Sequence, residues 1–184
     1  MLDRAIIDHA SPTLARLKLG NLFNYPIAAG FHAEFCGLRA LLSGKGVALS
    51  VLRETREKAL IYVYRSDELA KALRDDAIQR LLKTLGYTRF DVDGALATLK
   101  SRLDDADAFP HEIGVFLGYP LEDVLGFIEN GGRNCLACGC WKVYANECAA
   151  LKAFRRYDKC KSVYQRLFAS GCPLSRLTVA ARPA

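Results

Sequence analysis

The stretch "VALSVLRETREKALIYVYRSDEL", residues 47–69, decides the fold. Two runs rich in β-branched and aromatic residues, Val47 to Leu52 and Ala59 to Tyr64, flank the charged segment Arg53 to Lys58. That is the composition of an antiparallel hairpin with an exposed turn. Ser66 then opens a helix with Asp67 and Glu68 in its first turn, where carboxylates suit the positive end of the helix dipole. A lone hairpin is only marginally stable, so other elements must cover it.

Working toward the C-terminus, the helix begun at Ser66 runs on toward Leu85, with an interruption near Asp75 and Asp76. Asp91 or Asp93 starts another, with Ala95, Leu96, Leu99 and Leu103 on its apolar face. Asp104 to Asp107 reads as a solvated acidic connection. In "HEIGVFLGYPLEDVLGFIENGG", residues 111–132, a helix from His111 to Leu117 is stopped by Gly118. A second begins at Pro120 and places Leu121, Val124, Leu125 and Ile128 on its buried side. Cys140 to Tyr144 reads as a strand, and Asn146 caps a helix from Glu147 to about Ser170. On that helix Leu151, Phe154, Tyr157, Cys160 or Lys161, Tyr164, Leu167 and Phe168 form the inward line. Leu177 to Ala180 is expected as a last edge strand.

Toward the N-terminus, Ser11-Pro12 has the form of a helix start, giving a short helix Thr13 to Leu19 stopped by Gly20. Ile27 to Leu42 is expected as a buried helix ending at Ser43 to Gly46. Strands and helices segregate instead of alternating. The expectation is therefore α+β: a mostly helical single domain over residues 1–184, with a small antiparallel sheet made of the hairpin near 47–64 plus a strand near 140–145.

The blocks "HEIGVFLGYPLEDVLGFIENGG", "GCWKVY" (139–144), "FRRYDKC" (154–160) and "SPTLARLKLGNLF" (11–23) together resemble domain of unknown function 3793. This is a family of bacterial proteins, mainly from anaerobic Firmicutes. The likeness spans nearly the whole chain. It implies no reaction, ligand or catalytic residue, so chemistry has to be read from the residues.

No run approaches the roughly 18 apolar residues needed to cross a bilayer, and charges break the N-terminal segment where a secretory core would lie. A cytoplasmic protein with no membrane span is expected. The formal net charge of +6 is uneven: from Arg133 onward ten Lys or Arg face only Glu147 and Asp158. Lys152, Arg155, Arg156 and Lys159 project from the last helix as a candidate anion-binding face for an anionic small molecule or an acidic protein. An ordinary solvated helix face is the competing reading.

Seven cysteines cannot all pair within one chain. In a reducing compartment they serve as packing, metal ligands or redox groups. Cys135 and Cys138 have knuckle spacing, and a closed zinc or iron–sulfur site needs about four ligands. Cys140 and Cys148 are the candidates for the remaining pair. Cys148 and Cys160 lie roughly 18 Å apart along one helix and cannot share a metal. Cys135 with Cys138 as a dithiol, or plain small packing, are the alternatives.

The two short helices around Gly118 mimic a helix-turn-helix, but Leu121 to Asn130 offers Glu122, Asp123 and Glu129 and no Lys, Arg or Gln. That charge argues against sequence-specific DNA. His111 and Glu112, with Tyr119 and Lys142, form the most enzyme-like cluster, since His exchanges protons near neutral pH. Adjacent His and Glu on a helix point about 100° apart, which is poor for a dyad. His9 and His32 carry no companion motif. No phosphate-binding glycine loop, dinucleotide fingerprint, H-E-x-x-H or G-x-S-x-G occurs. The leading expectation is a small binding or accessory protein in metal or redox physiology. The alternatives are an enzyme for an anionic small molecule and an interaction module without chemistry.

Overall fold

The computed structural model describes residues 1–105 and 109–181. The expected hairpin is β2 (Val47–Glu54) and β3 (Lys58–Arg65), antiparallel in register from Val47 opposite Arg65 to Glu54 opposite Ala59, with an irregularity between Val51 and Arg53. A third strand, β1 (Gly20–Pro26), pairs antiparallel with the other side of β3, so the order is β1-β3-β2. The central strand is buried on both faces. Ala59, Ile61 and Val63 enter one core and Tyr62 and Tyr64 the other, as period-two alternation requires.

The first core is closed by α1 (Leu2–Leu14), α2 (Phe31–Ser43) and the inner face of the terminal helix α8 (Glu147–Ala169). The second is closed by α3 (Ser66–Ala72), α4 (Asp76–Thr84), α5 (Val92–Asp105), α6 (Ile113–Phe116) and α7 (Leu121–Asn130). A two-strand ladder, β4 (Ala137–Cys138) with β5 (Lys142–Val143), lies apart from the main sheet. The protein is a single α+β domain.

Arg65 ties the layers together. Its side chain is fully buried and donates from Nε to Thr13 O (2.8 Å), from Nη1 to Lys45 O (3.0 Å) and from Nη2 to Leu14 O (2.5 Å). Two of those carbonyls belong to the last turn of α1, where the regular helical donors run out, and each also accepts one backbone N–H, from Arg16 and Val179 respectively.

Several expectations need correction. Ser11-Pro12 does not open a helix: α1 begins at Leu2 and carries Pro12 in its last turn. Leu2, Ile6, Ile7, Ala10 and Leu14 are all fully buried, and the Ser11 hydroxyl bonds back to Ile7 O. Tertiary burial of that face outweighs the local start signal. The segment expected to finish a helix at Leu19 turns instead into β1. The helix expected over His111 to Leu117 shrinks to α6, and the strand at Cys140 to Tyr144 to the two residues of β5. Leu177 to Ala180 is turn and irregular backbone, although Val179 N donates to Leu14 O. On α8, Leu151 and Leu167 are exposed, while Phe154 and Cys160 are buried. Part of the expected acidic connection, residues 106–107, lies outside the described residues.

Candidate functional site

A cleft of about 330 Å³ lies where α6, α7 and the β4–β5 hairpin meet. Its walls are Phe109, Ile113, Tyr119, Val124, Phe127 and Trp141, with His111, Asp123, Cys138 and Lys142 among its polar members.

Two glycines allow the hairpin to sit so close. A Cβ on Gly126 would stand 2.5 Å from the Tyr144 side chain, and one on Gly139 would stand 2.4 Å from the Phe154 ring. The bare backbone of α7 therefore receives Tyr144, and the hairpin loop receives Phe154. Trp141 is clamped between elements: it stacks on Tyr119 with ring centroids 5.0 Å apart and meets Phe154 edge-on at 4.5 Å.

The buried Asp123 completes the clamp. It accepts from Trp141 Nε1 and from the backbone N–H groups of Tyr144 and Ala145. Three donors satisfy a carboxylate that would otherwise be costly to bury. Asp123 thus holds the wall in place, and its oxygens are already occupied.

The four residues expected to carry acid–base chemistry divide. His111 lines the cleft, exposed, with its ring edge-on to Phe127 at 4.9 Å. Lys142 also lines it; its Nζ donates to Gly132 O at 2.6 Å and lies 5.8 Å from the Phe127 centroid. An ammonium has three donors, so two remain for a ligand. Tyr119 lines the wall, and its hydroxyl donates to Cys140 O at 3.0 Å. Burial, with Cys140 and Tyr157 nearby, pushes its pKa up to about 12, so it remains a phenol at neutral pH.

Glu112 turns the other way. It is buried beneath Arg102, whose Nε donates to it, and Tyr87, whose hydroxyl donates to it at 3.1 Å. The hydrogen bond from Arg102 to Glu112 raises the guanidinium pKa, and burial beside Glu112 raises that of Tyr87. His111 and Glu112 therefore face different surroundings.

The cysteines also part company. Cys138 lines the aromatic cleft, and Cys140 lines a second cleft on the other side of Tyr119. Cys135 is half-buried, and Cys148 is exposed in the first turn of α8. Among the described residues no group of three or more His, Cys, Asp or Glu could hold a metal ion. Lys152, Arg155, Arg156 and Lys159 are all exposed on α8, and none is in an ion pair among the described residues.

The second cleft, about 320 Å³, contains a residue that the sequence did not single out, Lys18. It is 8% exposed, and its ammonium lies 5.0 Å from the centroid of the Tyr119 ring. A lysine near the end of an expected short helix reads as solvated, and its burial depends on Tyr119, a hundred positions away.

No helix among the described residues is long and apolar enough to cross a membrane. A family model described as "Protein of unknown function (DUF3793)" matches residues 6–178. No curated protein and no solved structure matches the chain.

Proposed function

The chain belongs to the DUF3793 family, and from the geometry of its aromatic cleft we propose that it is a binding protein for a flat, largely apolar small molecule carrying one anionic group. One observation carries the reading: Tyr119, Phe127 and Trp141 wall the same cleft that Lys142 borders with an incompletely used ammonium. Ligand pockets of this kind combine apolar and aromatic walls with a few placed polar groups. Aromatic faces suit a planar ring, and the Lys142 ammonium supplies a partner for a carboxylate or phosphate.

Binding is favoured over catalysis because the groups that would partner His111 in moving protons are engaged elsewhere. Asp123 is consumed by three donors, Glu112 faces Arg102, and Tyr119 keeps its proton. A metal role for Cys135, Cys138, Cys140 and Cys148 has less beneath it, since Cys138 and Cys140 border different clefts.

Trp141 is the sole tryptophan, so its emission reports on this cleft directly. Titration with 2-naphthoate is expected to change that emission saturably, and uncharged 2-naphthalenemethanol is expected to bind more weakly. Phe127→Ala should weaken the naphthoate interaction by roughly tenfold, in line with loss of an aromatic contact and its buried area. Lys142→Met should erase the preference for the acid. A response that is linear in naphthoate, or one unchanged in Phe127→Ala, would remove the proposal.

A further inference from the structure

We propose that the second cleft is a carbonyl-binding site, in which the Lys18 amine condenses with an aldehyde or ketone to form an imine. The cleft is separate from the aromatic one, with Tyr119 as the shared wall. Lys18 is more than nine-tenths buried as a residue, and among the described residues its side-chain nitrogen, which keeps some contact with solvent, makes no hydrogen bond and no ion pair. Its close neighbours are the face of Tyr119 and the thiol of Cys140. A ring face attracts a cation only modestly. Burial without a counter-ion therefore favours the uncharged amine, which is the nucleophilic form.

The titratable groups lining the cleft come from every element around it. Asp8 and His9 come from α1, Tyr119 from the turn before α7, Cys140 from the hairpin, and Tyr157, Asp158 and Lys161 from α8. Asp8 is already engaged by Arg4 and Gln165. Burial lowers the pKa of Lys18 to about 8, so a substantial fraction is free amine under physiological conditions. A simple anion site fits less well, because the same walls carry the Asp8 and Asp158 carboxylates and offer one buried cation.

The condensation needs no oxidant or reductant. The nitrogen lone pair attacks the carbonyl carbon, the C=O π pair moves to oxygen, and oxygen gains a proton as nitrogen loses one. The carbinolamine then expels its hydroxyl as water while nitrogen forms the C=N bond. The balance is one carbonyl compound and one amine giving one imine and one water. His9 lies in the same cleft and is of the residue type suited to relaying those protons.

Propanal with cyanoborohydride tests the site on the full chain, because hydride reduction of the imine leaves a stable secondary amine that peptide mass spectrometry locates. Lys18 is expected to be labelled roughly tenfold or more faster than the exposed Lys152 and Lys159 at neutral pH, given its larger free-amine fraction. The rate should saturate with propanal and reach half its maximum near pH 8. Labelling of Lys18 no faster than of Lys152, or a rate strictly proportional to propanal, overturns the proposal. Lys18→Met should lose the fast phase while retaining the native Trp141 emission. Were that variant not to fold, the saturation and pH profile of the unaltered chain would still decide.

Discussion

Asp123 accepts a hydrogen bond from the indole Nε1 of Trp141 at 2.7 Å, so a buried carboxylate on α7 fixes the ring that walls the cleft. Its other oxygen accepts from Tyr144 N at 2.7 Å and Ala145 N at 3.0 Å. Asp123→Asn would turn an amide N–H₂ toward at least one of these donors. The expected result is a loss of about 2–3 kcal/mol in stability, the usual scale for a buried donor left unpaired beside a lost charge-assisted bond. Trp141 emission should shift to the red as the hairpin loosens. Unchanged emission and denaturation midpoint would mean that stacking on Tyr119 and Phe154 suffices to hold the ring.

Arg65 is the matching anchor in the main sheet. Its planar fork reaches three carbonyls on two segments, Thr13 and Leu14 in α1 and Lys45 after α2. A lysine keeps the charge but cannot present donors in those three directions. Arg65→Lys is expected to cost about 1.5–3 kcal/mol, the scale of a hydrogen bond to a charged group, although each carbonyl keeps one backbone donor. Urea denaturation would measure it, and a loss below about 1 kcal/mol would imply that water replaces the guanidinium.

The parts of the fold that were legible in the sequence are those whose signals are local. The hairpin shows in the two β-branched and aromatic runs that flank Arg53 to Lys58, and α8 in its Asn146 cap, whose side chain does accept from Ala149 N. β1 was hidden because Asn21, Asn24 and Pro26 favour turns. It is a strand only through pairing with β3, where Gly20 lies opposite Tyr64 and Pro26 opposite Lys58. Strand preference depends on such distant partners more than on composition. The site divides in the same way. The spacing of residues 111–142 placed His111, Tyr119 and Lys142 together, and they do share the aromatic cleft. Nothing near Glu112 announced Arg102 and Tyr87, and nothing near Lys18 announced Tyr119.

Lys18 also gives stability a specific pH dependence. Its folded pKa, about 8, lies below the unfolded value of 10.5. Between these values the unfolded chain binds the extra proton, so stability rises with pH across that window. Below it the buried charge costs about 3 kcal/mol, and above it the cost disappears. Lys18→Met should therefore be the more stable protein at pH 7, with the difference shrinking as pH approaches 10.5. Comparing the two chains at each pH cancels the titration of tyrosines and the other lysines. A difference that stays constant from pH 7 to 10 would show that Lys18 is as fully protonated in the folded chain as in the unfolded one, with no lowering of its pKa.

Thiol reactivity gives an independent reading of the same surroundings. Burial pushes the Cys160 thiol up to about 11 on the inner face of α8, while Cys36, Cys138 and Cys148 are exposed. Since the thiolate is the reacting form, a rise from 9 to about 11 lowers its population about a hundredfold at pH 8. Iodoacetamide should therefore label Cys36, Cys138 and Cys148 first and Cys160 last, with the order vanishing in denaturant. Cys140, also exposed as a residue, should fall between: partial desolvation of its thiol raises its pKa, and the charge of Lys18 opposes that rise. In Lys18→Met the opposition is removed, so Cys140 labelling should slow at pH 7 while Cys138 is unaffected. Equal slowing of both would trace the effect to a general tightening of the hairpin, and no slowing would place the Lys18 charge too far away to act on Cys140.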